Sequence, residues 1–225
     1  MEKAVFLDRD GVINYNVFNQ ATGEWESPHH PQDLKLFPWS IESLRRLLEN
    51  KFKLFLISNQ PSYAKGKTSL ENIKAVQEKF HSILIANNIF FTEYYYCYHH
   101  PQGIVPELSI ECACRKPGIF FLREAEKKYS LNMSSSWIIG DRDSDIMCGK
   151  KTGLKTIRIL TQEELQVKKT LASDPDFKAA NLLEAVNIII QLTVISRKFP
   201  RRMADSPWNK FLNFIVTKSN PCKDI

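Results

Sequence analysis

Phe6-Leu7-Asp8-Arg9-Asp10-Gly11-Val12 sets two carboxylates two residues apart, directly after a short apolar run and just before a glycine. A run as brief and continuous as Ala4-Val5-Phe6-Leu7 reads as a strand buried on both faces, the kind that parallel sheets contain. If the strand ends near Leu7, the chain can turn so that both acids face one small site, where a divalent metal would offset their repulsion. Two such carboxylates divide the labour of phosphoryl chemistry: one attacks phosphorus, the other shuttles a proton to the leaving oxygen and then from water. Taken alone, Asp-x-Asp-Gly is equally well read as an ordinary polar turn, and its neighbours must decide.

Three more segments end in chemistry. Leu54-Phe55-Leu56-Ile57 runs into Ser58-Asn59-Gln60, where a hydroxyl and a backbone N–H suit a phosphoryl oxygen; a Ser-Asn turn is the bland alternative. Arg115-Lys116-Pro117-Gly118 puts two cations before a helical run: Lys116 would neutralise the nucleophile and the transferring group, and Arg115 would hold a second anionic group. Ile138-Ile139-Gly140 leads into Asp141-Arg142-Asp143-Ser144-Asp145, in which Asp141 would complete a Mg²⁺ site with Asp8 while Asp143 and Asp145 cap or orient the loop.

Between these segments short apolar runs alternate with helical stripes, as a parallel sheet covered by helices requires. The expected strands are Ala4 to Leu7, Leu54 to Ser58, Tyr94 to Tyr98, Trp137 to Gly140 and Thr156 to Ile159. The stripes are Ile41, Leu44 and Leu48; Leu70, Ile73, Val76, Phe80 and Ile83; and Leu182, Val186, Ile189 and Ile190. Two long connections, Asn14 to Phe37 and Cys97 to Lys116, leave strand ends and should border the site, since ligands of doubly wound sheets bind at the carboxyl ends of strands. One domain, residues 1–192, is expected, with a basic extension at 193–225 that carries Arg201, Arg202, Lys210, Lys218 and Lys223 among Trp208, Phe211 and Phe214.

Cys97-Tyr98-His99 and Cys112-Ala113-Cys114 form a further constellation. Three thiolates and an imidazole suit a tetrahedral Zn²⁺, and a closed four-ligand site of this kind is structural. The metal would pin the loop 97–114 and, through Cys114, the adjoining Arg115 and Lys116. His100 is a rival ligand.

An acid pair, a hydroxyl, a lysine and a metal-binding acid, in that order on four segments, resemble the haloacid-dehalogenase-like phosphatase superfamily over about Met1 to Gln191. The resemblance implies a cap-less Rossmann-like α/β core, Asp8 as nucleophile, Asp10 as general acid/base, Ser58 and Lys116 as phosphoryl-binding groups, and Mg²⁺ held by Asp8, Asp141 and the Asp10 carbonyl. Arg9, Gly11, Asn14, Asn59, Gln60, Lys65, Arg115 and Arg142 complete the candidate substrate contacts. Cys-x-His followed by Cys-x-Cys-Arg-Lys-Pro is similar to the D-glycero-D-manno-heptose 1,7-bisphosphate 7-phosphatases and the related histidinol-phosphate phosphatases, and the longer gap between the half-sites favours the heptose group. That implies a small phosphorylated sugar as substrate, on a route to lipopolysaccharide or surface glycans. Where that family carries Ser-Gly-Ile-Ala-Arg-Gly, this chain reads Pro61-Ser62-Tyr63-Ala64-Lys65-Gly66. The segment from Asn14 to Phe37 is also longer than usual.

The 225 residues, 43% of them hydrophobic, suffice for one sizeable core, and a net charge of +6 attracts anionic ligands of any kind. No secretory pattern or membrane-spanning stretch is evident, and the clustered cysteines fit metal binding in a reducing compartment, so a monomeric cytoplasmic enzyme is the expectation. Histidinol phosphate and a polynucleotide 3′-phosphate stand as alternative substrates, with nucleic acid the weaker because a basic segment is more often a solvated face. A non-catalytic, zinc-stabilised anion-binding module stands as the alternative of another class. His29 and His30 read as surface residues.

Overall fold

The computed structural model describes residues 1–20, 22–160 and 173–198. Two compact units are distinguished, Met1–Asn187 and Ile188–Ile225. Of the second, only a helical stretch is described, so the extension's Arg201, Trp208 and Phe214, and Cys222, lie outside the described residues.

Strands β1 (Ala4–Leu7), β4 (Lys53–Asn59), β5 (Glu93–Cys97), β6 (Trp137–Gly140), β7 (Lys155–Ile159) and β8 (Phe177–Ala179) form, among the described residues, one parallel sheet in the order β5-β4-β1-β6-β7-β8. All the expected strands are present, each within a residue of its anticipated limits. Two features were not anticipated: the short edge strand β8, and a separate antiparallel pair, β2 (Val17–Asn19) and β3 (Glu24–Glu26), inside the long first connection.

Continuous apolar runs make the central strands because both sheet faces are covered. Ala4 and Phe6 on one face, and Val5 and Leu7 on the other, are all fully buried. On the first face Phe6 stacks on Phe55 with ring centroids 5.0 Å apart, and the cluster takes in Leu122 and Ala125 of α3 (Phe120–Tyr129) and Cys148 of α4 (Asp143–Thr152). Each large side chain so enclosed contributes roughly 2–3 kcal/mol of transfer free energy.

The two earlier helices follow their stripes with corrections, and Ile41 and Leu70 at the head of each stripe are half-buried. In α1 (Ser40–Glu49) the buried residues are Ser40, Ser43, Leu44 and Leu47, so Leu47 rather than Leu48 faces inward. In α2 (Leu70–Ala86) Leu84 takes the place expected of Ile83. A 3.6-residue repeat leaves either of two adjacent apolar residues able to continue a stripe, and packing chooses. Helix α2 starts where Ser69 Oγ accepts the Asn72 N–H at 3.2 Å, and α4 stops at Gly153, whose φ of 79° is the left-handed C-cap geometry. Helix α5 (Leu182–Lys198) closes the described chain. No helix among the described residues is long and apolar enough to cross a membrane.

Candidate active site

Strand β1 lies between β4 and β6, with Leu7 opposite Leu56 on one side and Ile139 on the other. The chain fills one side of the sheet with β4 and β5, then crosses β1 to lay down β6. This is a topological switch point, where the carboxyl ends of strands open a crevice. Asp8 follows β1 and Asp141 follows β6, so residues 133 positions apart stand at neighbouring strand ends, and the Asp8 N–H donates to the Ile139 carbonyl at 3.0 Å.

Lys116 arrives from the connection after β5 and is 4% exposed. Its ammonium is ion-paired with Asp8 Oδ2 at 2.9 Å and Asp145 Oδ1 at 2.5 Å, and it donates to the Ile57 carbonyl at 2.8 Å. Burial alone would lower the Lys116 pKa, but Asp145 and Asp8 outweigh it and hold the amine charged. The lysine backbone is clamped as well: its N–H donates to Asn59 Oδ1 at 3.0 Å, and the Asn59 amide donates to its carbonyl at 3.2 Å.

The Asp8, Asp141 and Asp145 side chains each bring a carboxylate oxygen within 4.8 Å of the others. Asp145, expected only to cap or orient, does cap the Arg142 N–H at 3.1 Å, and it also belongs to this cluster. Asp141 Oδ1 is shut off from solvent without a hydrogen-bond partner. Burial first, then the charges of Asp8 and Asp145, push Asp141 up to about 8; burial likewise pushes Asp145 up to about 6, opposed by Lys116. Three enclosed carboxyls against the Lys116 ammonium and the Arg142 guanidinium still leave a negative excess, so the donor set fits a hard divalent cation. The folded chain thus holds these protons more tightly than the unfolded chain, whose carboxyls titrate near about 4. Without divalent metal, stability should therefore fall as pH rises from about 4 towards about 8. Thermal melting across that range checks this: added Mg²⁺ should raise the midpoint most at the alkaline end, and Asp141→Asn should flatten the slope.

Gly11 makes the acid cluster possible. Its φ is +79°, and a Cβ there would stand 2.3 Å from Asp141 Oδ2. Gly11→Ala should cost about 2 kcal/mol or more in urea unfolding and displace Asp141, with activity falling in parallel.

Asp10 is turned towards a different set of partners. Its Oδ1 accepts from Arg9 Nε at 3.0 Å and Asn14 Nδ2 at 2.9 Å, and its Oδ2 from Arg9 Nη2 at 3.2 Å and Gln60 Nε2 at 2.6 Å. Gln60 also donates to Ser58 Oγ at 2.9 Å. Arg9 and Asn14 are fully enclosed. As placed here, Arg9, Asn14 and Gln60 position Asp10 from behind rather than face a ligand, a correction to the substrate contacts expected of them. An arginine beside a catalytic acid reads from sequence as a phosphate binder, and only burial distinguishes the two roles.

In front of the acids lies a cavity of about 230 Å³, the size of a small phosphorylated molecule rather than a duplex. Asp8, Asp10, Lys116 and Asn59 form its floor, and Arg115, Arg142 and Lys65 bring cations to its wall. Ser58 and Gly11 do not line it. The hairpin contributes Glu24, Trp25 and Glu26 with the following Ser27, and the loop after β4 contributes Ser62 and Lys67. Sequence reading placed both long connections at the border but made candidates of none of these last residues, nor of Ser144.

The second candidate centre assembles as expected. Cys97 Sγ lies 3.6 Å from Cys112 Sγ and 3.4 Å from Cys114 Sγ, Cys112 and Cys114 are 3.2 Å apart, and His99 Nδ1 is 3.4 Å from Cys114 Sγ. A tetrahedral ion with bonds of about 2.3 Å has ligand–ligand edges of about 3.8 Å, so these four atoms are grouped closely enough to hold a metal ion. Cys97, Cys112 and Cys114 are free thiols rather than disulfide-bonded. Burial, with hydrogen bonds to the other thiols, pushes Cys97 up, a clustering that a divalent cation would relieve. His100 instead accepts the Gln102 N–H through Nδ1 at 3.1 Å. His29 bonds Ser62 Oγ at 3.1 Å, and neither histidine joins a metal cluster among the described residues.

Comparison with known proteins identifies relatives of the chain. The HAD-hydrolase-like family model matches residues 113–185. D-glycero-alpha-D-manno-heptose-1,7-bisphosphate 7-phosphatase of Photorhabdus laumondii is 34% identical over 68% of this chain and 79% of its own length. The D-glycero-beta-D-manno-heptose-1,7-bisphosphate 7-phosphatase of Rhodopseudomonas palustris is 30% identical over 75% of this chain and 89% of its own. Among solved structures, D,D-heptose 1,7-bisphosphate phosphatase from B. bronchiseptica, complexed with magnesium and phosphate, superposes with a TM-score of 0.69 at 21% identity, covering 84% of this chain and 99% of that one. The chain belongs to the haloacid-dehalogenase-like phosphatases, in the group of the heptose-1,7-bisphosphate 7-phosphatases.

Proposed function

We propose that the protein is a Mg²⁺-dependent phosphomonoesterase that removes the 7-phosphate of D-glycero-D-manno-heptose 1,7-bisphosphate or a related sugar bisphosphate through an aspartyl-phosphate on Asp8. The observation that carries this reading is the Asp8 carboxylate, at a switch point, 2.9 Å from a buried lysine and facing a cation-walled cavity. An Asp8 oxygen attacks phosphorus as the bond to the sugar oxygen breaks, and Asp10 delivers a proton to that oxygen. Asp10 then takes a proton from water as the water oxygen attacks the phosphoryl group and Asp8 leaves. Lys116 stabilises charge on the transferring group, and Arg115, Arg142 and Lys65 hold the remaining anionic group. Asp8, Asp141 and the Asp10 carbonyl, with Asp145 alongside, would hold Mg²⁺, which would supply charge neutralisation at the transferring phosphoryl group.

The curated relatives include enzymes named for the alpha and for the beta anomer. The deciding measurement is therefore Mg²⁺-dependent phosphate release from both anomers of heptose bisphosphate, histidinol phosphate and a 3′-phosphorylated oligonucleotide. Preference for one heptose anomer is expected. Faster turnover of either of the other two would replace the sugar assignment.

Zinc in the loop 97–114 is structural in this reading, because four protein ligands leave no position for substrate. Elemental analysis should find about one zinc per chain, and Cys112→Ser should lower both zinc content and the thermal midpoint by several degrees. A zinc-free protein purified without chelators would refute the ion.

A further inference from the structure

The indole of Trp25 is 66% exposed although it borders the cavity, and its cross-strand neighbour Phe18 is 48% exposed. The two rings meet at 5.4 Å and 59°, so Phe18 supports Trp25 from the side while the indole remains uncovered. The hairpin beneath is fastened rather than loose. Glu26, 9% exposed, is ion-paired with Lys67 and accepts from Asn19 at 3.1 Å and Thr22 at 3.0 Å. Ser27 and His29, just beyond, reach Ser62 across the cavity mouth at 3.4 and 3.1 Å.

We infer that Trp25 is a specificity-determining residue that stacks on the ring of a phosphorylated pyranose, with the neighbouring Glu24 carboxylate accepting its hydroxyl protons. A pyranose presents an apolar C–H face and a rim of hydroxyls, which matches an indole beside a carboxylate. Its phosphates match Lys65 and Arg115 on the same cavity. A polynucleotide fits less well, because the cavity of about 230 Å³ has the size of a small phosphorylated molecule. The inference rests on the sugar-phosphatase reading and names the residue that would select the ring.

Steady-state kinetics of the full chain with Mg²⁺ test it, comparing wild type, Trp25→Ala and Trp25→Phe on heptose bisphosphate, on acyclic glycerol 3-phosphate and on a 3′-phosphorylated trinucleotide. For the heptose substrate, Trp25→Ala should raise KM about ten-fold with kcat nearly unchanged, while Trp25→Phe should recover most of the loss. Glycerol 3-phosphate, which has no ring to stack, should show no change in KM. Equal KM values for wild type and Trp25→Ala on heptose bisphosphate, or an equal loss on the acyclic ester, would overturn the stacking role while leaving the sugar-phosphatase reading intact. Wild type that turns over the trinucleotide but not the sugar would overturn both.

Discussion

Asp8→Asn should reduce phosphate release by about a thousand-fold or more, equivalent to about 4 kcal/mol of transition-state stabilisation, with the fold retained. The amide is close in size but is no nucleophile, so the covalent step is lost. Folding should survive because Lys116 keeps Asp145 at 2.5 Å and the Ile57 carbonyl at 2.8 Å. One acid fewer also relieves the repulsion that helps push Asp141 up, so the metal-free variant should melt no lower than wild type at pH 8. Phosphate-release assays, circular dichroism and zinc content on one preparation check all three points. Retained turnover would remove Asp8 from the nucleophile's role.

Lys116→Met should be destructive in a different way. The ammonium is the buried cation ion-paired with both Asp8 and Asp145, and a methionine of similar length would leave those acids beside Asp141 with only Arg142 to balance them. Breaking a buried ion pair by removing one partner costs about 3–5 kcal/mol. The urea midpoint should fall accordingly, and activity should vanish even at temperatures where the variant is folded. Mg²⁺ should restore part of the stability but none of the turnover. A stable, inactive variant would mean that the acids protonate at little cost, and a stable, active one would exclude the lysine from the chemistry.

Strands β1, β4 and β6 were legible because each holds an uninterrupted apolar run, and burial on both faces demands that pattern. The thiol cluster was anticipated because Cys-x-His with Cys-x-Cys is a donor combination with few other uses, whereas Asp-x-Asp-Gly alone reads equally well as a polar turn and took its weight from Ser58, Lys116 and Asp141 on other segments. Local chemistry did not show direction. Arg9 reads as a substrate contact until it is found fully enclosed against Asp10, and Asp145 reads as a cap until its other oxygen is found on Lys116. The hairpin was missed because Val17-Phe18-Asn19 and Glu24-Trp25-Glu26 are three residues each, too short for an alternation to declare itself. Gly23, with φ +67°, was the one turn signal between them.

The β2–β3 pair shares no strand with the sheet that carries the acids. Residues 17–26 are therefore an exchangeable part, and transplanting them into a relative with a shorter segment would carry over ring preference while the recipient's catalytic machinery stayed as it was. Selection can revise what such an enzyme accepts without reopening how it works.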